Sequence, residues 1–154
     1  MQLQQGDPAP AFSVSDQYGK VHTLQDYRGK WLLLYFYPKD DTPGCTKEAC
    51  GFRDHFSALQ DKVTVLGVSK DSAESHSAFT KKYALPFTLL ADADLALTAA
   101  YGADGVTYPK RVTFLIDGEG VIAKIYDKVD CEAHALEVLE DVRHFKICHP
   151  ERLS

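Results

Sequence analysis

The residues with the clearest chemical potential are two cysteines, Cys45 and Cys50, separated by four residues. Cys45 follows a loop that carries Thr42 and the prolines Pro38 and Pro43. An apolar run before the loop and helical spacing after it predict a strand that leads into a helix, with Cys45 in the first helical turn. At such a position, free backbone N–H groups and the positive end of the helix dipole favour the thiolate, which is the nucleophilic form. We therefore expect Cys45 to be a reactive thiol.

A hydroperoxide is one electrophile that suits this arrangement, and its reduction sets further requirements. When sulfur attacks one peroxide oxygen, the other leaves with negative charge, so a fixed cation and hydrogen-bond donors should face it. Arg111 is the candidate cation, because it opens a predicted strand near the loop and offers several donors in a planar fork, whereas Lys110 would offer a point charge. The Thr42 hydroxyl could accept a hydrogen bond from the thiol or donate one to the peroxide. Pro38 and Pro43 would stiffen the loop and exclude water.

The wider sequence predicts the elements that must position these residues. The apolar run at 31–37 is typical of a central strand buried on both faces, and the helix that follows, at about 45–60, has its apolar residues on one inward stripe. Asp71 and Glu74 have capping-box spacing for a helix that ends near Tyr83. The other predicted elements are strands at 11–15, 21–24, 63–68, 87–90, 111–116 and 121–126, a helix at 94–101, and a last helix with Leu136, Leu139, Val142 and Phe145 on one face.

The order of these elements predicts an α/β fold. Strand, helix, strand and helix are followed by an antiparallel hairpin around residues 117–120 and a closing helix. This order implies a mixed central sheet with helices packed on both faces, which is the thioredoxin-like layout. A chain of 154 residues can bury most of its apolar surface around one core, so we expect a single domain over 1–154.

Composition argues against several other function classes. A formal charge of -5 without basic runs offers no electrostatic footprint for nucleic acid, and no apolar run approaches the roughly 20 residues that cross a bilayer. The first ten residues lack the basic and apolar regions of a signal peptide, so a cytoplasmic location is expected. Four unevenly placed cysteines do not suit a secreted disulfide scaffold, and four residues between a single cysteine pair is a weak zinc signal. No metal or cofactor is expected, because sulfur itself can carry the redox change.

A specific resemblance rests on residues 37–54, which read YPKDDTPGCTKEACGFRD. They resemble the active-site segment of peroxiredoxins of the bacterioferritin comigratory protein type, also called peroxiredoxin Q. The similarity continues through LGVS at 66–69, LPFTLL at 85–90 and TFLID at 113–117. The resemblance implies a thiol peroxidase that reduces hydrogen peroxide and alkyl hydroperoxides and is re-reduced by thioredoxin. Relatives of this type are often monomers, so a monomer is expected.

The same resemblance implies roles for individual residues. Cys45 would be the peroxidatic cysteine, and Cys50 the resolving cysteine that forms a disulfide with it. Thr42 and Arg111 would be the activating partners of Cys45, and Pro38 a residue that shields it.

Helix geometry sets a condition on that disulfide. On an intact helix, Cys45 and Cys50 lie about 140° apart around the axis, with Cα atoms roughly 8 to 9 Å from each other. A disulfide requires less than about 7 Å. We therefore expect oxidation to unwind roughly residues 44–51 and to leave the rest of the fold in place. A slow closure would expose the sulfenic acid to a second peroxide and to conversion into the sulfinic acid.

Other interpretations stay open beside these. Cys131 and Cys148 lie outside the motif and are expected to be structural or incidental, with a backup resolving role possible for Cys131. The six histidines have no metal-ligand spacing with the cysteines and are expected to be solvated. One alternative function is a thioredoxin-type protein disulfide reductase, although such enzymes use Cys-x-x-Cys. Another is a non-enzymatic peroxide sensor, which would consume peroxide stoichiometrically without turnover.

Overall fold

The computed structural model describes residues 3–104 and 110–148, without the side chains of 146–148. The strands are β1 Ser13–Ser15, β2 Val21–Thr23, β3 Leu32–Phe36, β4 Thr64–Ser69, β5 Thr88–Ala91, β6 Val112–Ile116 and β7 Ile122–Tyr126. The helices are α1 Pro43–Asp54, α2 Phe56–Leu59, α3 Ala73–Tyr83, α4 Ala96–Ala100 and α5 His134–Cys148, and a 3-10 turn covers Leu24–Tyr27. None of the helices in these ranges is long and apolar enough to cross a membrane.

The central sheet has five strands in the order β5-β4-β3-β6-β7. Strands β3, β4 and β5 are parallel, whereas β6 is antiparallel to β3 and β7 is antiparallel to β6. Every residue of the middle strand β3 is buried. Both of its faces are covered, which is why its sequence is continuously apolar instead of alternating. The predicted mixed sheet and both predicted hairpins, β1-β2 and β6-β7, are confirmed.

Successive residues of the sheet point into two apolar clusters. On one face, Leu33 and Tyr35 pack with residues of α1, α3 and α5. On the other face, Leu34 and Phe36 pack with α4 and with the segment before β1. This alternation is the period of two that a strand imposes on its side chains. The thioredoxin-like α/β class with helices on both faces is thereby confirmed.

Two predicted helix boundaries are wrong. The helix expected at 45–60 is divided, because His55, with φ -104° and ψ 9°, separates α1 from α2. Helix α3 is capped one residue later than predicted, since the Ser72 hydroxyl accepts a hydrogen bond from the N–H of Ser75 at 3.1 Å. Asp71 instead accepts a hydrogen bond from the N–H of Asp40 at 2.9 Å. Asp71 therefore supports the loop after β3 instead of capping α3.

The last two helices also differ from prediction. Helix α4 is shorter than 94–101, because the Asp92 carboxylate accepts hydrogen bonds from the N–H groups of Leu97 and Thr98 and fixes its first turn. In α5, Leu136 is exposed, contrary to its predicted place on the buried face. Leu139 and Val142 are buried as predicted, Phe145 packs against the same cluster, and helical spacing adds Ala135 and Val138 to that face.

Candidate active site

The candidate site lies where β3 ends and β6 begins. Because β6 is antiparallel to β3, with Phe36 paired to Val112, the start of β6 lies beside the end of β3. The loop that begins at Pro38 follows β3, and Arg111 directly precedes β6. The sheet therefore brings together a loop and an arginine that are about 70 residues apart in the chain.

Cys45 is the third residue of α1, in the first helical turn where the sequence predicts it. Thr42 is the N-cap and Pro43 the first helical residue, a position that proline favours because no backbone donor is needed there. The Cys45 side chain is buried, with 1% of the residue exposed. The guanidinium of Arg111 donates a hydrogen bond from Nη2 to Cys45 Sγ at 3.3 Å. The Cys45 sulfur thus lies at a helix start and accepts a hydrogen bond from a fixed cation.

Glu48 holds the other arm of the guanidinium. Arg111 Nη1 donates to Glu48 Oε1 at 2.8 Å, and Glu48 is 1% exposed. Burial raises the pKa of Glu48 to about 7, against the opposing effect of Arg111. Sequence reasoning missed this residue, although an acid on the apolar stripe shared by Cys45 and Ala49 was a visible signal. A bonded guanidinium arm leaves Arg111 little freedom to turn away from the thiol.

A neutral histidine lies behind this ion pair. The side chain of His134 is fully buried, and its Nε2 lies 2.9 Å from Thr113 Oγ1 and 4.0 Å from Glu48 Oε2. Burial lowers the pKa of His134, so its contact with Glu48 is not an ion pair near neutral pH. Glu48 Oε2 has no hydrogen-bond partner among the described residues. Burial tends to lower the pKa of Arg111, but Glu48 and Cys45 outweigh it and the net pKa is raised.

Asp40 anchors the loop between β3 and α1. Its carboxylate accepts hydrogen bonds from the hydroxyls of Tyr37 at 2.6 Å and Ser75 at 2.8 Å. His76 Nδ1 lies 2.7 Å from the same carboxylate, and its Nε2 donates to the carbonyl of Leu90 at 2.9 Å. The loop is therefore bonded to α3 and, through His76, to β5.

Asp41 adds a second anchor. It has a positive φ of 59°, a conformation that Asp tolerates better than most residues. Its carboxylate accepts hydrogen bonds from Lys82 Nζ and the Tyr83 hydroxyl, each at 2.7 Å. With both ends of α3 bonded to it, the loop presents Thr42 and the start of α1 in one arrangement.

The same region contains the one group of possible metal ligands among the described residues. Ligand atoms of Asp40, Asp71 and His76 lie within 4.8 Å of one another. Each of these three side chains already has hydrogen-bond partners. Asp71, for example, accepts a hydrogen bond from the Ser69 hydroxyl at 2.7 Å. This saturation favours a loop anchor over a metal site.

The remaining predicted site residues are Thr42, Pro38 and Cys50. The Thr42 hydroxyl donates to the carbonyl of Lys39 at 2.9 Å, makes no capping bond, and keeps its lone pairs for other donors. Pro38 is half-buried directly after β3. Cys50 is a half-buried free thiol in the middle of α1. The side chain of Cys148 lies outside the described residues.

The expectation that all six histidines are solvated is wrong for three of them. His22, His76 and His134 are buried. Each has a buried polar partner that the sequence could not reveal; for His22 it is Asp16, 2.7 Å away. Each of these partners is six or more residues away in the chain, so the fold, and not a local sequence pattern, brings the pair together.

Comparison with known proteins gives one consistent group. The model of the AhpC/TSA family matches residues 5–125. The putative peroxiredoxin bcp of Coxiella burnetii is 49% identical over 148 residues, covering 90% of this chain and 98% of that protein. Two solved structures are similar. One is a cysteine-to-serine mutant of Xylella fastidiosa PrxQ, with TM-score 0.89 and 33% identity, covering 94% of this chain and 98% of that one. The other is a Xanthomonas campestris bacterioferritin comigratory protein described for its alkyl peroxide reduction activity, with TM-score 0.82 and 34% identity, covering 86% of this chain and 90% of that one.

Proposed function

Because the chain belongs to the AhpC/TSA family, as a thiol-dependent peroxidase of the Bcp and peroxiredoxin Q group, we propose that Cys45 is its peroxidatic cysteine. The observation that carries this assignment is the 3.3 Å hydrogen bond from Arg111 to Cys45 Sγ at the start of α1. The other free cysteines with described side chains are Cys50 and Cys131; both are half-buried, and neither accepts a hydrogen bond from a guanidinium in the described part of the chain. Among these three thiols, Cys45 is therefore the one whose surroundings best suit a nucleophile.

In the first step, the Cys45 thiolate attacks one peroxide oxygen and the O–O bond breaks. The sulfur becomes a sulfenic acid, and the other oxygen leaves as an alkoxide or hydroxide that takes up a proton to give the alcohol or water. Arg111 stabilises the charge that develops on the leaving oxygen, with Glu48 fixing its orientation. The Thr42 hydroxyl donates to the bound peroxide once it exchanges its bond with the Lys39 carbonyl. Pro38 shields the sulfur from water.

In the second step, the Cys50 thiol attacks the sulfenic sulfur, a disulfide forms, and water is released. Both cysteines lie within the continuous helix α1, where their Cα atoms are roughly 8 to 9 Å apart, so its first turns must unwind. Two features of the site lower that cost. A neutral sulfenic acid binds Arg111 less strongly than a thiolate does, and exposing Glu48 restores the hydration that burial denies it.

In the third step, a dithiol protein reduces the Cys45–Cys50 disulfide. We take the reductant to be thioredoxin and the substrates to be hydrogen peroxide and alkyl hydroperoxides, the latter supported by the activity described for the Xanthomonas campestris relative. The two core clusters share one sheet, which supports a single domain over 1–154. A cytoplasmic monomer completes the proposal.

The test is NADPH oxidation in the presence of thioredoxin reductase, thioredoxin and hydrogen peroxide. Cys45→Ser should abolish turnover. Cys50→Ser should keep the first, peroxide-consuming turnover, and later turnovers should be mostly lost when Cys131, the possible backup, is also replaced by Ser. Cys148→Ser, the same chemical change outside the motif, should behave as wild type.

Each alternative has its own outcome in this assay. Full turnover in Cys45→Ser would overturn the peroxidatic assignment, and full turnover in Cys50→Ser that persists when Cys131 is also replaced by Ser would overturn the requirement for an intramolecular resolving thiol. A single burst without turnover in the wild type, under excess reductant, would identify a sensor instead of an enzyme. Unwinding is tested separately by amide exchange, which should become faster in residues 44–51 of the oxidised protein; equal protection in both forms would refute it.

A further inference from the structure

The turn before α5 carries a third cysteine, Cys131, and packs directly on α1. Along that helix, Lys47 Nζ lies 3.1 Å from Glu132 Oε1. One turn later, a methyl group added at Gly51 would lie 3.9 Å from the backbone oxygen of Cys131 and 3.8 Å from the Cβ of Ala135. The turn therefore lies alongside α1, the helix that contains the proposed peroxidatic and resolving cysteines.

At the start of α1 the sulfur of Cys131 approaches the reactive thiol. A Cβ added at Gly44 would lie 3.6 Å from Cys131 Sγ and 3.0 Å from Arg111 Nη2, which in turn lies 3.3 Å from Cys45 Sγ. Taken end to end, these three lengths of 3.6, 3.0 and 3.3 Å place the sulfurs of Cys131 and Cys45 at most about 10 Å apart. A Cβ at Gly44 would crowd the guanidinium at 3.0 Å, whereas its 3.6 Å distance from the Cys131 sulfur is an ordinary contact.

We propose that Cys131 is a second resolving thiol, which attacks the Cys45 sulfenic acid to form a Cys45–Cys131 disulfide. This inference rests on the proposed peroxidatic role of Cys45. The reaction balances as at Cys50: the sulfenic acid and the thiol give a disulfide and one water, and an external dithiol later restores both thiols.

The electrostatics of the site make Cys131 reactive after Cys45 is oxidised. Burial raises the pKa of Cys131, Arg111 lowers it, and the charges of Glu48, Cys45 and Asp130 raise it further. A sulfenic acid at Cys45 is neutral, so one of the raising charges disappears while Arg111 remains. Cys131 therefore ionises more readily at the stage when a second thiolate is required.

Closing this bond requires movement on both sides but not the loss of the middle of α1. The two sulfurs must come from at most about 10 Å to about 2 Å. Cys131 lies in a turn and not within a helix, and Cys45 lies in the first turn of α1. The contact that joins the turn to Lys47 is an ion pair between two exposed side chains, which holds it weakly.

The experiment uses the full-length Cys50→Ser variant, treated with one equivalent of hydrogen peroxide, alkylated, and digested with trypsin without reduction. Cys45, Cys131 and Cys148 fall in the separate tryptic peptides 40–47, 129–143 and 147–152. We expect a disulfide between 40–47 and 129–143 within one chain. The matched control is Cys50→Ser/Cys131→Ser, in which the dimedone-reactive sulfenic acid should persist on the order of tenfold longer, as expected when an intramolecular thiol is removed.

The two proposals fail in different ways. A dimedone adduct that accumulates on 40–47 equally in both variants would overturn the role of Cys131 and keep that of Cys45. So would a disulfide to 147–152 or one between two chains. Failure to detect any oxidation of 40–47 would overturn the proposed function itself. Cys50→Ala, carried in parallel, separates these outcomes from any folding defect caused by serine.

Discussion

The Glu48 carboxyl should make stability fall as pH rises, and Glu48→Gln should remove that dependence. Glu48 is 1% exposed, one of its oxygens is bonded to Arg111, and the other has no hydrogen-bond partner among the described residues. Glutamine keeps the shape and the hydrogen bond to the guanidinium but cannot titrate. A comparison of the two proteins therefore isolates the ionisation of one buried group.

The magnitude follows from the difference between the folded and unfolded pKa values of Glu48. Burial raises this pKa from 4.5 to about 7, so between these values the folded state retains a proton that the unfolded chain has released. Stability falls with pH wherever the folded state binds more protons. The contribution is fully present below pH 4.5 and lost as pH rises through 7. At about 1.4 kcal/mol for each pH unit, the loss is about 3 kcal/mol.

Chemical denaturation of reduced wild type and Glu48→Gln, at intervals from pH 4 to pH 8, measures this loss. The free energy of unfolding of the wild type, relative to the variant, should fall by about 3 kcal/mol across the range and level off near pH 8. Glu137→Gln is the matched control, because it removes a half-exposed carboxyl beside His134. Parallel curves for wild type and Glu48→Gln would refute the argument that burial outweighs Arg111 at this carboxyl.

Three further substitutions test other parts of the account. Arg111→Lys keeps the charge but loses the fork that joins Cys45 to Glu48, so kcat/KM for hydrogen peroxide should fall by about 100-fold, and a wild-type value would refute the need for the fork. Gly67→Ala brings a Cβ within 2.8 Å of atoms of Leu89 and Tyr35 and should lower the free energy of unfolding by about 1 to 3 kcal/mol; no change in denaturation would mean that the sheet relaxes around it. Asp40→Asn breaks the buried pair with His76 and should cost about 3 kcal/mol in the same assay, whereas a neutral effect would contradict the anchoring role of the Asp40 carboxylate.

The positions of Cys45 and Arg111 could be predicted because local patterns specify them. The apolar run at 31–37, the proline-bearing loop and the helical spacing after it place Cys45 in the first turn of a helix. Strand order then brings Arg111 to the same edge of the sheet. Both predictions need only the direction of one strand relative to its neighbour, which connection rules restrict strongly.

The residues that sequence reasoning missed depend on contacts between distant segments. Asp40 is bonded to His76, 36 residues later, and nothing near either residue indicates the pairing. Cys131, for which the sequence leaves a backup resolving role open, approaches the site only because the turn before α5 packs on α1. Glu48 is intermediate, because its position on an apolar stripe is visible but the partner that explains it is not.

Helix ends were predicted less well than helix existence, for a related reason. Asp71 has the right spacing for a capping box, yet its carboxylate is bonded to the loop after β3 and Ser72 caps α3 instead. Asp71 and Ser72 are adjacent and either side chain can cap a helix, so only tertiary contacts decide which of them does.

The most direct test of the central claim is to identify which cysteine hydrogen peroxide oxidises first. Reduced wild-type protein would be mixed with less than one equivalent of peroxide, quenched with dimedone in rapid flow, and mapped by peptide mass spectrometry. The account predicts that the earliest adduct lies on the tryptic peptide 40–47, which contains Cys45, before any disulfide forms. An earliest adduct on 48–53 or 129–143, with 40–47 unmodified, would contradict it.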